Sequence, residues 1–143
     1  MTPTSTKPPL IADLSWEDGL RFIIRSNGQE LRLDGDTKAA ASPVQALAAA
    51  LAGCMATDIV HILTKGRLPL AGFEARFEGA RAEDNPRRFT AIRLHIVVKG
   101  DVPADKVERA IALSRETYCS VWHSLRQDLD FTTSFEVQPA PSA

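Results

Sequence analysis

The first third of the chain contains three short runs in which apolar and polar residues alternate. We predict strands near residues 10–16, 20–26 and 29–34, because such alternation is typical of a strand with one buried face. An Asp-Gly pair at 18–19 and an Asn-Gly pair at 27–28 separate the runs and favour tight hairpin turns. The predicted sheet has one apolar face and one face that carries arginines.

A long helix is predicted next, from Ser42 to about Lys65. Ser42 is followed by a proline and, three positions after the serine, by Gln45, which together form a capping box. Leucine and isoleucine then recur at helical spacing. Six alanines and Gly53 occupy positions 46–56, so we expect the middle of this central helix to be buried on most sides.

The second half of the chain predicts a hairpin, a helix and a last strand. Strands at about 71–81 and 88–98 are joined by a polar turn and are expected to pair antiparallel. A second helix is predicted near 103–128 and a final strand at 131–137. This order of elements predicts an α+β fold with antiparallel sheets.

Composition indicates a single globular domain. The chain has 143 residues, of which 44% are hydrophobic and 24% charged, typical of a folded soluble protein. We predict that residues 10–137 form this domain. Residues 1–9 are expected to be a disordered tail and residues 138–143 a loose one, because both are rich in proline and small polar residues.

The net charge of the chain and the length of its most apolar stretch indicate which partners and which cellular location to expect. The formal net charge is -1 and no long basic run is present, so no nucleic-acid partner is expected. The most apolar stretch, positions 44–56, falls short of the roughly 20 residues that span a bilayer. We therefore expect no transmembrane helix and no membrane partner. The N-terminus lacks the apolar segment of a signal peptide, which favours a cytoplasmic protein.

Two cysteines are the strongest candidates for chemistry. Cys54 and Cys119 lie 65 positions apart without a C-x-x-C motif, which does not fit a disulfide scaffold or a zinc site. Cys54 is either a small buried residue of the helix or a thiol activated by a nearby cation. Asp58, four residues later, would raise a thiol pKa, so we predict that it holds an arginine or a helix contact.

Cys119 is followed four residues later by His123, which would place thiol and imidazole on one helix face. Cys119 and His123 either have a packing role, with the polar end of the histidine exposed, or act together in the function of the protein. The other two histidines, His61 and His95, stand alone, and we predict no metal site. Phosphate-binding and nucleophile-elbow motifs are absent from the sequence.

Two segments of the chain resemble a known family. They are SPVQALAAALAGCMATDIVHIL at 42–63 and SRETYCSVWHSL at 114–125. Their order, with one cysteine on a proline-led helix of small residues and another on a second helix, resembles the OsmC/Ohr family of osmotically inducible and organic hydroperoxide resistance proteins. The resemblance extends over about 10–137, because the order of strands and helices also agrees.

The resemblance implies an OsmC-like fold that forms an intertwined homodimer with its sites at the interface. It implies a thiol-dependent peroxidase of oxidative-stress defence that reduces organic hydroperoxides. Cys54 would be the peroxidatic cysteine, oxidised to a sulfenic acid, and Cys119 the resolving cysteine that closes a disulfide with it. No bound cofactor is implied, and an external dithiol would reduce the disulfide.

The resemblance also implies an arginine from the N-terminal strands that stabilises the thiolate. Arg32 matches the arginine-bearing strand end, with Arg25 and Arg21 as further candidates. The family's glutamate at the start of the central helix, which holds this arginine, is replaced here by Val44 or Gln45.

Gln45 caps the helix and is able to hydrogen-bond an arginine, but it carries no charge. We therefore consider Asp34 and Asp58 as substitutes for the glutamate. The missing glutamate also keeps an alternative open, in which the protein is an OsmC-like dimer that binds an apolar small molecule or senses redox state with little peroxidase activity. The two hypotheses differ in whether Cys54 is acidic and lies within reach of Cys119.

Overall fold

The computed structural model describes residues 7–142, so most of the predicted N-terminal tail, residues 1–6, lies outside the described part. The elements are, in chain order, β1 (Asp13–Asp18), β2 (Arg21–Ser26), β3 (Gln29–Asp34), α1 (Pro43–Lys65), β4 (Leu70–Arg81), β5 (Phe89–Gly100), α2 (Ala104–Leu113), a π-helix (Ser114–Tyr118), α3 (Ser120–His123) and β6 (Asp130–Gln138). Helices and two three-stranded sheets make this an α+β fold, as predicted.

The chain divides into two compact units, one ending at Leu47 and the other beginning at Ala48. Helix α1 therefore begins in the first unit and continues into the second. The extent of a single domain over 10–137 stays a prediction. The last strand includes Gln138, so the predicted C-terminal tail begins one residue later than expected.

The first unit contains an antiparallel sheet in the order β1-β2-β3. The predicted hairpins are confirmed, although β1 begins at Asp13 rather than near residue 10. Asn27 and Gly28 have φ angles of 49° and 77°. Two successive positive φ angles are what a two-residue turn needs to match the twist of its strands.

One face of this first sheet is apolar, as predicted. The pairing register places six large side chains on that face: Leu14, Trp16, Phe22, Ile24, Leu31 and Leu33. We call this set the apolar face of the first sheet. Three of its members are 53–67% exposed. The hydrophobic side chain that is buried in this sheet is Ile23, which lies on the opposite face between Arg21 and Arg25.

Helix α1 begins and ends where the sequence predicts. Its capping box forms, because the Gln45 N–H donates to Ser42 Oγ at 3.1 Å and the Ser42 N–H donates to Gln45 Oε1 at 2.9 Å. These two bonds satisfy donors that a helix start otherwise leaves unpaired.

The expected burial of α1 on most sides was wrong. Four residues spaced by four positions are buried, namely Leu51, Met55, Ile59 and Leu63, and they form one stripe. Ala49, Ala50 and Gly53 are exposed in this chain. These three small residues therefore form an exposed surface away from the buried stripe.

Helix α1 also meets a length and composition test for a membrane span, with a mean hydropathy of 1.8 over 18 residues and 22% of that window buried. The prediction of no transmembrane helix considered only positions 44–56. The apolar character continues past Asp58 to Leu63. Core helices of globular domains meet the same test, and α1 contributes four side chains to a core.

The second unit contains a sheet in the order β4-β5-β6. The predicted hairpin of β4 and β5 is confirmed, with Phe77 opposite Leu94. Strand β6, however, runs parallel to β5, whereas antiparallel sheets were predicted. The reason is the connection, since the helices between β5 and β6 form the crossover that parallel neighbours require.

The core of the second unit lies between this sheet and the helices. The inward side chains of β5 are at most 1% exposed, and they pack with the buried stripe of α1 and with residues of α2. The β5 residues are Ile92, Leu94, Ile96 and Val98, and the α2 residues are Val107, Ala110 and Ile111.

The continuous second helix predicted over 103–128 is broken. Helix α2 ends at Leu113, and a five-residue π-helix comes next. Its last hydrogen bond runs from the Cys119 N–H to the Ser114 carbonyl at 2.8 Å. Cys119 itself is extended, with φ -72° and ψ 99°, and ends the helical run. Its sulfur accepts the Trp122 N–H at 3.3 Å, so that it caps α3.

We expect Leu94→Ala to lower the free energy of unfolding by about 2–5 kcal/mol, because the side chain is 1% exposed and its loss leaves a cavity. Denaturant unfolding of the purified protein measures this change. Arg93→Ala, at the exposed neighbouring position of the same strand, is the matched control and should change it by less than about 0.5 kcal/mol. Equal effects of both variants would contradict the burial of Leu94.

Candidate functional site

The two cysteines are neighbours in space. Cys54 lies on α1 and is half-buried, while Cys119 comes directly after the π-helix and is 0% exposed. Both thiols are free. Cys54 packs against the core to which Cys119 belongs, and the two thiols are close enough for the charge of one to affect the pKa of the other. The structure thus brings together two residues that are 65 positions apart in the sequence.

The environment of Cys119 keeps its thiol protonated. Burial, which disfavours the charged thiolate, raises its pKa from 9.0 to about 11. The hydrogen bond with Cys54 and the negative charge that Cys54 carries when ionised act in the same direction. The backbone N–H groups of Trp122 and Val121 oppose them. At neutral pH Cys119 is therefore a proton donor beside Cys54.

The sequence predicted that Asp58 holds either an arginine or a helix contact, and in the structure it makes a helix contact. The hydroxyl of Ser114 donates to Asp58 Oδ2 at 2.8 Å. Ser114 is the first residue of the π-helix and is 0% exposed. Sequence reasoning missed Ser114, because a serine inside an apolar helical stripe carries no chemical signal of its own.

Gln45 is part of the capping box of α1. Its side-chain carbonyl oxygen accepts the Ser42 N–H, and its side chain is exposed. The position at which the resemblance led us to expect a glutamate is thus used here to begin the helix.

The three candidate arginines of the first unit all have acidic partners. Arg32 Nη1 lies 2.6 Å from Glu17 Oε1. Arg21 pairs with Asp18 and Arg25 with Glu30, each at 3.1 Å. All three pairs are solvent-exposed, where an ion pair adds little stability. The predicted action of Arg32 on Cys54 stays a prediction.

Asp34 has a local structural role. Its carboxylate is buried and accepts the backbone N–H groups of Asp36, Lys38 and Ala39 at 2.8–3.2 Å. These bonds, that from Ala39 first, hold the pKa of Asp34 below its usual value, and the positive charge of Arg21 adds to them. Because its oxygens are engaged in this way, Asp34 shapes the loop between β3 and α1.

His123 ends α3 and its side chain is exposed. Cys119 is the N-cap of α3, and the His123 N–H donates to the Cys119 carbonyl at 3.1 Å, one helical turn away. The predicted pairing of thiol and imidazole on one face stays a prediction. The sulfur of Cys119 faces the Trp122 N–H.

A cavity of about 480 Å³ lies along α1, beginning one turn beyond Cys54. It is lined by Asp58, His61, Ile62, Lys65, Gly66 and Tyr118. Tyr118 is the last residue of the π-helix and is 57% exposed. Apolar and basic side chains therefore share this cavity with Asp58. Within residues 7–142, no group of three or more His, Cys, Asp or Glu side chains is arranged to hold a metal ion.

Fold and cysteine placement define a two-cysteine α+β protein, and comparison with known proteins identifies its family. The OsmC-like protein family matches residues 34–134. Protein YhfA of Escherichia coli K12 is 39% identical over 132 residues, which are 90% of this chain and 98% of YhfA. The chain therefore belongs to the OsmC-like family.

Solved structures share the fold. A hypothetical protein from Aquifex aeolicus superposes with a TM-score of 0.86 at 24% identity, covering 94% of this chain and 100% of its own. The organic hydroperoxide resistance protein OsmC from Legionella pneumophila superposes with a TM-score of 0.68 at 20% identity, covering 93% and 100%. The OsmC-like fold expected from the sequence is thus confirmed.

The raised pKa of Cys119 gives a pH dependence. The folded protein holds this proton more tightly than the unfolded chain, so its contribution to stability is complete below pH 9.0 and is lost as the pH rises towards about 11. Ultraviolet thiolate absorbance of the reduced protein should show one cysteine titrating near pH 11.

In Cys54→Ala the midpoint of Cys119 should fall, because the hydrogen bond and the charge of Cys54 are gone. It should stay above 9.0, since burial remains. A midpoint unchanged by this substitution would show that the thiols do not interact.

Proposed function

We propose that the protein is a thiol-dependent peroxidase that reduces organic hydroperoxides in oxidative-stress defence. The observation that carries the proposal is the pair of neighbouring free thiols at one core, one half-buried and one fully buried. Several proteins that share the fold are named organic hydroperoxide resistance proteins, and their names support the same activity.

In the first step, the Cys54 thiolate attacks the terminal oxygen of the hydroperoxide. The sulfur–oxygen bond forms as the oxygen–oxygen bond breaks, and the alkoxide takes a proton to leave as alcohol. Cys54 becomes a sulfenic acid and the peroxide is reduced by two electrons. A proton held on Cys119 and directed at Cys54 stabilises the attacking thiolate, because a hydrogen bond to the charged form favours it.

In the second step, the sulfur of Cys119 attacks the sulfur of the Cys54 sulfenic acid. The sulfur–sulfur bond forms, the sulfur–oxygen bond breaks, and hydroxide leaves as water with the proton that Cys119 gives up. Oxidation of Cys54 removes its negative charge, which is one cause of the raised pKa of Cys119. The Cys119 thiol thus becomes easier to ionise once Cys54 is oxidised. By then its proton is no longer needed to stabilise the Cys54 thiolate.

The cycle closes when an external dithiol reduces the Cys54–Cys119 disulfide by thiol–disulfide exchange. The proposal requires no bound cofactor. It places the protein in the cytoplasm, where thiols are kept reduced. Arg32 is proposed to stabilise the thiolate, and Gln45 and His123 are supporting residues whose effects are expected to be smaller.

The proposal includes a homodimer with its sites at the interface. The apolar face of the first sheet supports it, since Leu14, Trp16 and Leu31 are 53–67% exposed in the single chain. A contiguous apolar patch of this kind is typical of a protein interface. A second copy of the chain is the partner that we propose.

One observation favours a second function. The family's glutamate is absent and Gln45 is engaged in capping, so no carboxylate at the helix start holds the arginine. In this alternative the protein is a dimer that binds an apolar small molecule, or senses redox state, and has little peroxidase activity. The cavity along α1 would then hold the ligand.

Stopped-flow oxidation of the reduced protein by cumene hydroperoxide and by hydrogen peroxide tests the peroxidase. We expect faster reaction with the organic peroxide and a Cys54–Cys119 disulfide in the wild type. Cys119→Ser should accumulate a sulfenic acid on Cys54, and Cys54→Ser should lose the reaction, because it lacks the nucleophile. Mass spectrometry of each product assigns the oxidised residue.

Slow oxidation of the wild type without a disulfide would reject the peroxidase and favour the ligand-binding alternative. Rapid oxidation of Cys54→Ser would reject Cys54 as the nucleophile.

Sedimentation velocity tests the dimer. We expect a dimer for the wild type and a shift towards monomer for Trp16→Glu, because a charge buried in an apolar interface without a partner is strongly unfavourable. Ser15→Glu is the matched control, since Ser15 is the neighbouring residue on the opposite face of the sheet. A wild-type monomer would contradict the proposed assembly.

A further inference from the structure

Ser114 is bonded to the segments that carry both cysteines. Its hydroxyl donates to Asp58 Oδ2 at 2.8 Å, and Asp58 lies one helical turn after Cys54 on α1. Its carbonyl accepts the Cys119 N–H at 2.8 Å. One fully buried polar residue therefore joins the helix of the first thiol to the backbone of the second.

The π-helix that begins at Ser114 determines where Cys119 points. Its i to i+5 hydrogen bond adds one residue to the turn, and an extra residue rotates the subsequent side chains by about 100° in helical geometry. The turn ends with Cys119 in an extended conformation and its sulfur on the Trp122 N–H. An uninterrupted α-helix would direct the Cys119 side chain elsewhere.

The π-helix is held on two sides. Ser114 binds it to α1, and the next residue, Arg115, donates to the Phe131 carbonyl of β6. The Arg115 guanidinium also lies 4.7 Å from the ring centre of Phe131 and 5.8 Å from that of Trp122. Of these contacts, only the one from Ser114 reaches the helix that carries Cys54.

We propose that Ser114 and Asp58 are positioning residues for the closure of the Cys54–Cys119 disulfide. The inference rests on the proposed function and assigns these residues to its second step. Neither touches the peroxide in this proposal. Their hydrogen bond holds the π-helix against α1, so that the Cys119 sulfur stays beside Cys54 when Cys54 has become a sulfenic acid.

The test measures the rates of sulfenic acid formation and of disulfide closure separately. Stopped-flow oxidation by cumene hydroperoxide, with quenched samples analysed by mass spectrometry, measures the formation of the Cys54 sulfenic acid and then of the disulfide. In Ser114→Ala and Asp58→Ala we expect disulfide formation to slow by about tenfold, as the loss of a buried hydrogen bond implies. Sulfenic acid formation in Ser114→Ala, which keeps the Asp58 carboxylate, should stay within about twofold of the wild type.

Two control variants distinguish a positioning role of the Ser114–Asp58 hydrogen bond from an effect of the Asp58 charge and from a general loss of stability. Asp58→Asn keeps an oxygen that accepts the Ser114 hydroxyl, so we expect disulfide formation close to the wild-type rate. Ser124→Ala removes an exposed hydroxyl that donates to the Ser120 carbonyl nearby, and both rates should be unchanged. A loss in Asp58→Asn equal to that in Asp58→Ala would show that Asp58 acts through its charge, which overturns the proposal.

Equal disulfide rates in Ser114→Ala and the wild type would also overturn it, as would a parallel fall of both rates. A second measurement covers the case in which the peroxidase proposal fails or Ser114→Ala does not fold. Equilibrium with a glutathione redox buffer forms the same disulfide without peroxide. Asp58→Ala should then lower the equilibrium constant for closure by about tenfold relative to Asp58→Asn, and equal constants would reject the positioning role.

Discussion

The structure of the second unit depends on the burial of one stripe of α1 against the β4-β5-β6 sheet. Met55 and Ile59 are 0% exposed, and their packing sets the rotation of the helix about its axis. Cys54 and Asp58 each precede one of these residues, so they lie at the edge of the stripe. Cys54 is consequently half-buried beside the core.

The same core separates the properties of the two thiols. Cys119 is fully buried, so its proton is retained and directed towards Cys54, which lies at the margin. Burial thus gives the two thiols different surroundings: Cys119 lies inside the core and Cys54 lies at its margin.

The first unit engages its candidate site residues in local contacts. Arg32 is paired with Glu17, and Gln45 forms the helix cap with Ser42. The apolar face of its sheet is exposed in a single chain. A neutral side chain at the helix start supplies a hydrogen bond and no electrostatic hold on an arginine, so the role of Gln45 in the structure is to cap α1.

Structural features that depend on interactions between nearby residues could be predicted from the sequence alone. The Asn27-Gly28 turn, the Ser42–Gln45 capping box and the bounds of α1 arise from interactions between residues close in the chain, and the structure has all three. Family resemblance added the pairing of Cys54 with Cys119. The tertiary structure instead decided three other features, namely the parallel position of β6, the π-helix at Ser114 and the burial of Ile23. These depend on contacts between residues far apart in the chain, and hydrophobic periodicity does not encode which distant surface an apolar face will meet.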